Sequence, residues 1–294
     1  MISWITFSYP NESHKHEKIE IKKVHGMKKV WIFFLFGIIT TNTFSQISKV
    51  GFFAGISNYS GELGSISNGN LPAFGMSYKY QFKENLSFIE PKISIYFGKV
   101  SCDDNLHVDI YRQTRNLHFK SNIIEFNGQL QIGLPFNKLD TDLASYRRRF
   151  TPFSTVGFSI FRFNPRAEYI DGEWYELQPL ATEGQGIIPT RDVYSRVSVA
   201  FNIGLGIKLK IAKRAELEID YTIRFTGTDY LDDVSTTYAD NSLIREKKGD
   251  IAAFFADPNE STLGTSQPYQ TRGDPTDDDI YIFKGVTLYY HLNK

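Results

Sequence analysis

The chain reads as all-β: an eight-stranded antiparallel transmembrane outer-membrane β-barrel with long extracellular loops. Three observations predict it: long segments with period-two alternation, a secretion leader, and connections that alternate long and short. The clearest segment is residues 279–292. Ile280, Ile282, Val286, Leu288, Tyr290 and Leu292 share one parity, while Tyr281, Phe283, Gly285, Thr287, Tyr289 and His291 share the other. Alternation sustained this far marks a strand between two environments. Its length suits a tilted crossing of an outer membrane. Lys284 is the misfit on the apolar parity. At the midplane it would cost about 2–4 kcal/mol, so it should snorkel, or a bulge should shift the register.

The same pattern recurs upstream. Residues 197–211 place Val197, Val199, Phe201, Ile203, Leu205, Ile207, Leu209 and Ile211 on one face. Residues 217–225, 124–134 and 89–97 alternate likewise, although Pro91 interrupts the last of these. Weaker segments, rich in glycine and aromatics, lie at 50–57, 71–80 and 152–163. Eight strands make a small closed barrel, and closure leaves no edge for lipid to satisfy. Gly157, Gly204 and Gly206 leave room inside, where Lys92, Lys208, Glu218, Asp220 and Arg224 can pair. An interior of this size fills with side chains and makes a poor pore.

The connections fit that topology. Residues 81–85 and 212–214 are short; 98–121, 162–196 and 227–278 are long; 135–151 is intermediate. Short turns belong to the periplasm and long loops to the outside.

The N-terminal region divides in two. Met27-Lys28-Lys29 leads into residues 30–39 (VWIFFLFGII) and then Thr41-Asn42-Thr43-Phe44-Ser45. A basic start, an apolar core and small residues before a cut describe a signal peptide at 27–45. Residues 1–26 look like an extension ahead of the true initiator, Met27. The barrel domain then occupies 46–294.

Composition excludes several functions. Thirty-three basic and 33 acidic residues cancel, so no bulk charge favours nucleic acid. The single cysteine, Cys102, has no partner for a disulfide. A mean hydropathy of −0.30 is too polar for a helical membrane protein. The hydrolase, metallopeptidase and phosphate-loop signatures are missing, and the histidines downstream of the leader are His107, His118 and His291. The chain is therefore expected to be non-enzymatic, with no cofactor and no catalytic residue.

Candidate interaction residues lie in the connections. Trp174, Tyr175, Leu177 and Leu180 are costly to expose; they form either a cap over the barrel mouth or a binding surface. Arg147, Arg148 and Arg149 sit at the periplasmic mouth, as an interfacial charge belt or a contact for lipid headgroups or an acidic partner. Asp229, Asp232 and Asp233 (TDYLDD) and Asp274, Asp277, Asp278 and Asp279 (GDPTDDD) crowd the longest loop. They are open to two readings, a divalent-ion site or a solvated acidic rim that meets neighbouring loops.

Several loop segments resemble a known family. They are residues 163–186 (FNPRAEYIDGEWYELQPLATEGQG), 194–196 (YSR), 225–238 (FTGTDYLDDVSTTY), 272–275 (RGDP) and 281–292 (YIFKGVTLYYHL). Together they resemble the PorG-like outer-membrane barrels of Bacteroidota. That resemblance implies a non-enzymatic component of the type IX protein secretion system, with gliding motility in some species. It implies partners in a periplasmic ring lipoprotein and that lipoprotein's own partner, beside outer-membrane lipid. The alternatives are an orphan structural or surface-binding barrel and, further off, a membrane-embedded hydrolase.

The leader makes one direct prediction. N-terminal sequencing of protein recovered from membranes should begin Gln46-Ile47-Ser48, and a chain that starts at Met1 would overturn the processing.

Overall fold

The structure, a computed structural model, describes residues 47–64, 69–82, 88–106, 108–133, 150–260 and 266–292. The extension at 1–26, the leader at 27–45 and Arg147, Arg148 and Arg149 lie outside the described residues. The strands in chain order are β1 (Ile47–Ser60), β2 (Leu71–Gln81), β3 (Ile89–Asp103), β4 (His118–Gly133), β5 (Phe150–Arg162), β6 (Pro165–Glu168), β7 (Trp174–Glu176), β8 (Val197–Lys210), β9 (Ala215–Thr226) and β10 (Ile280–His291). Short helices α1 (Ile110–Arg115), α2 (Asn241–Lys248) and α3 (Asp250–Ala256) sit in the loops. No described helix is long and apolar enough to cross a membrane.

Eight of these strands close on themselves. The order β3-β2-β1-β10-β9-β8-β5-β4 is completed by pairing of β3 with β4. The seam between first and last strands runs unbroken from Lys49↔His291 to Ser60↔Ile280. β6 and β7 form a hairpin that extends β4 beyond the barrel. The β2–β3 ladder ends at Lys79↔Lys92, next to Pro91, which has no N–H to donate.

Lipid dictates the outer face. Val199, Phe201, Ile203, Leu205, Ile93, Ile95, Phe97, Val286, Leu288 and Tyr290 are all exposed on the outside. Lys284 shares that parity and pairs with Ile56 on one side and Tyr221 on the other, without a bulge. The register is thus regular at the misfit, and the bulge alternative falls.

Ion pairs fill the lower interior. Lys49 Nζ lies 3.1 Å from Glu90 and 3.0 Å from Glu216. Lys79 meets Glu90 at 3.0 Å and Glu216 at 3.2 Å, and also contacts Glu218. Lys208 closes on Glu90 at 2.6 Å. Higher up, Arg224 Nε lies 3.1 Å from Glu125 Oε2, which also accepts the Tyr281 hydroxyl at 2.7 Å. The guanidinium stacks 4.5 Å over the Phe283 ring. Glycines make room on the inner wall: a Cβ on Gly98 would stand 2.6 Å from the Phe283 ring, and one on Gly206 would stand 2.3 Å from the Phe153 ring.

Above this network the amphipathicity inverts. In β3 and β4 the inward Val100, Cys102, Phe119 and Ile123 are buried apolar groups, while outward Lys99, Lys120 and Asn122 are exposed. Residues 98–103 and 118–121, the two ends of what was expected as one long loop, are therefore strand. The ladder continues to Asp103↔His118 because water, not lipid, surrounds it there.

The β6–β7 hairpin is held by Glu176. Its carboxylate accepts from Asn164 Nδ2 at 2.9 Å, Arg166 Nη2 at 2.6 Å and Arg196 Nη1 at 2.7 Å. Those donors, Asn164 first, hold its pKa down at about 2, below an ordinary 4.5.

Two predictions follow from these contacts. Glu125→Leu strands the Arg224 charge in the interior and should cost about 3–5 kcal/mol in urea unfolding from micelles. Adding Arg224→Met should restore most of it; no recovery would mean the pair is not coupled. For Glu176, a depressed folded-state pKa means stability present above the ordinary carboxylate value and lost as pH falls. Amide protection factors in β6–β7 should drop between pH 4.5 and about 2, and Glu176→Gln should flatten that response.

Candidate functional site

The connection after β1 and the three long ones meet above the barrel and pack into one cap. Leu63 comes from the first, Leu117 from the second, Ala167 and Leu177 from the third, and Leu231, Val234 and Phe255 from the fourth. With short turns and both strand termini at the opposite end, this cap is extracellular.

Charged side chains tie the loops together inside that apolar frame. Arg272 is buried and donates to Glu183 Oε1 at 2.9 Å and to the Asp233 carbonyl at 2.8 Å. Glu183 also accepts from the Ser235 amide at 3.0 Å and the Thr236 hydroxyl at 2.6 Å. Arg115 grips Asp104 through two bonds of 2.8 Å, and donates to the Arg272 carbonyl at 2.7 Å and the Glu62 carbonyl at 3.1 Å. Asp233 accepts from Thr182 and from Tyr194, whose ring stacks on Tyr230 at 4.3 Å.

A second group of carboxylates has fewer partners. Glu62 follows β1, Asp229 opens the fourth loop and Asp279 closes it. Each offers a carboxylate oxygen, and these oxygens lie within 4.8 Å of one another. Asp232 is adjacent, with its carboxylate taken by the Tyr59 hydroxyl and by the Val234 amide at 2.9 Å. Asp279 accepts the Leu231 amide at 2.8 Å through Oδ2. Glu62 accepts the Asp274 amide at 3.3 Å. Burial, then mutual repulsion, pushes the Glu62 carboxyl up to about 8 and that of Asp279 well above the usual range. Asp229 is also pushed up to about 8, chiefly by burial.

The sequence-predicted residues separate accordingly. Leu177, Asp232 and Asp233 are interior groups of the cap. Tyr175 is half-buried against Tyr169 and Phe255. Trp174 stays 39% exposed, with Lys120 Nζ 4.4 Å above its ring. Of the acidic runs, Asp229, Asp232, Asp233 and Asp279 are buried, whereas Asp274, Asp277 and Asp278 are exposed. Sequence reading passed over Glu62, Glu183 and Arg115. Arg272, a cation just before the acidic run of the longest loop, was the available signal for a buried ion pair.

His118 and Cys102 are occupied structurally. The His118 ring nitrogen accepts the Glu168 amide at 3.0 Å. Cys102 donates to the Leu63 carbonyl at 3.1 Å. The described fold is a closed eight-stranded antiparallel β-barrel of the outer-membrane type.

Comparisons with known proteins find the chain similar to several solved barrels. Neisserial surface protein A is 8% identical, with 83% of this chain and 96% of that one covered at a TM-score of 0.40. Ail, the attachment invasion locus protein of Yersinia pestis, solved with the heparin analogue sucrose octasulfate, is 8% identical over 85% of this chain and 100% of its own, at 0.39. The N-terminal β-barrel domain of Pseudomonas aeruginosa OprF is 10% identical over 82% and 97%, at 0.32. No curated protein matches the sequence.

These findings overturn the PorG-like resemblance and the type IX secretion role drawn from it. The family whose model matches carries no secretion role in its description, and the similar barrels include a surface protein and an attachment protein rather than secretion components. The ring-lipoprotein partners, the secretion role and gliding motility fall with it. The physical reason lies in the segments that carried the resemblance. Glu183, Asp232, Asp233 and Arg272 bond within the cap, at the end of the barrel away from the periplasm. The sequence matches the domain of unknown function DUF6089 over residues 28–253, and the chain belongs to that family.

Proposed function

We propose that the protein is a structural or surface-binding barrel whose working surface is the extracellular cap. The observation that carries this reading is the filled interior. Lys49, Lys79, Lys92, Lys208 and Arg224 face Glu90, Glu125, Glu216, Glu218 and Asp220 across the lumen. Formal charges balance, and Lys49, Lys79, Lys208 and Arg224 are held in ion pairs with Glu90, Glu125, Glu216 and Glu218. An eight-stranded wall leaves little further width.

The cap's surface supports binding over a purely structural role. Leu106, Val108 and Ile110 of the second loop, Ile170 of the third and Tyr269 of the fourth are 69–96% exposed. Water surrounds this end of the molecule, so lipid does not account for them. Exposed apolar side chains on three loops are candidate contacts for a partner.

Two measurements separate the readings. The purified barrel in planar bilayers should show no stable conductance steps, and a steady open channel would overturn the closed-lumen reading. Cells carrying Val108→Ser with Ile110→Ser should keep a folded, heat-modifiable barrel and an intact envelope while losing surface attachment or cell–cell aggregation. Unchanged attachment together with a leaky envelope in the deletion strain would favour the structural role.

A further inference from the structure

The cap contains a carboxylate cluster that its own residues leave incomplete. Glu62 Oε2, both Asp229 oxygens and Asp279 Oδ1 are buried with no partner in good hydrogen-bonding geometry, although Ser235 and Glu62 lie beside Asp229 and Tyr59 beside Asp279. Asp229 is 6% exposed and Asp279 is wholly buried. Four oxygens so placed are costly, since each forfeits its water without full replacement. The nearby cations are committed elsewhere: Arg115 to Asp104 and Arg272 to Glu183. The backbone is shaped to bring the carboxylates in. A Cβ at Gly61 would fall 1.9 Å from Asp279 Oδ1, so a glycine is needed for the approach.

The donor set has a definite chemistry. It is all oxygen, all carboxylate, with no histidine or thiol among the three. Hard divalent cations take such sets, and irregular loops with several carboxylates suit the adaptable coordination of calcium better than the rigid octahedron of magnesium. The geometry points to a calcium site formed by Glu62, Asp229 and Asp279 in the extracellular cap. Asp232 is its neighbour in charge but already bonds Tyr59 and the Val234 amide. The ion would join the first loop to both ends of the fourth. By contrast the second acidic trio, Glu90, Glu216 and Glu218 in the lumen, is neutralised by Lys49, Lys79 and Lys208 and needs no metal.

The test uses the barrel refolded in micelles and freed of metal with a chelator. Calcium should bind saturably, with a Kd of roughly 10⁻⁴–10⁻³ M, as expected of extracellular sites. At ten times that Kd the folded-to-unfolded ratio should rise about elevenfold, with a smaller response to magnesium. Asp229→Asn with Asp279→Asn should abolish the calcium response. The metal-free double variant should unfold at higher urea than the metal-free parent, because repulsion has been removed. Asp278→Asn, an exposed neighbour, should leave the response intact. Absence of calcium heat and of any stability shift in the parent would overturn the site and show that protons alone hold the cluster. A response that survives in the double variant would overturn the assignment to these residues.

Discussion

Lipid offers a polypeptide no hydrogen-bond partner, and every other feature of this protein follows from that constraint. The sheet must close, so β1 meets β10 and β3 meets β4. Eight strands close around a narrow space, and a narrow space must be filled. Filling it with groups of alternating parity puts Lys, Glu and Arg inside, where each needs a partner of opposite sign. The result is a narrow barrel in which Lys49, Lys79, Lys208 and Arg224 are paired with carboxylates across the interior.

Legibility in the sequence tracks the solvent. Where lipid lies outside, the apolar parity is uniform, and Val199, Leu205, Ile93 and Leu288 announce their strands. Where water lies outside, the apolar parity moves inward. Val100, Phe119 and Ile123 then sit on the opposite face from Phe97 and Ile124, and the pattern reads as broken although the strand is continuous. The candidate site was harder still. Asp232 and Asp233 read as a solvated rim because aspartate is usually solvated. Their burial depends on Tyr59, Thr182 and Tyr194, which no local pattern connects to them. Glu62 lies far in sequence from Asp229 and Asp279, and only the closed sheet brings them together.

The loop segments that looked like a family signature show how such signatures arise. Arg272, Glu183 and the TDYLDD stretch are fixed by one another: changing any one leaves a buried partner unsatisfied. Mutual fit of this kind marks an architecture. It carries no information about an assembly on the other side of the membrane, because a fold and the role it serves are separate matters.

The placement of Tyr59 and Asp279 has a consequence for how the protein is made. Tyr59 lies near the end of the first strand and Asp279 immediately precedes the last, and across the seam Ser60 pairs with Ile280. Both side chains reach the fourth loop, through Asp232 and the Leu231 amide. Until the two ends of the chain zip together, these acids stay hydrated and the loops above have no common floor to settle on. Closure is the contact of greatest sequence separation and so belongs among the slow steps. Cap assembly is thereby made conditional on it: a barrel inserted but unzipped presents open, protease-sensitive loops, and a finished one presents a compact lid.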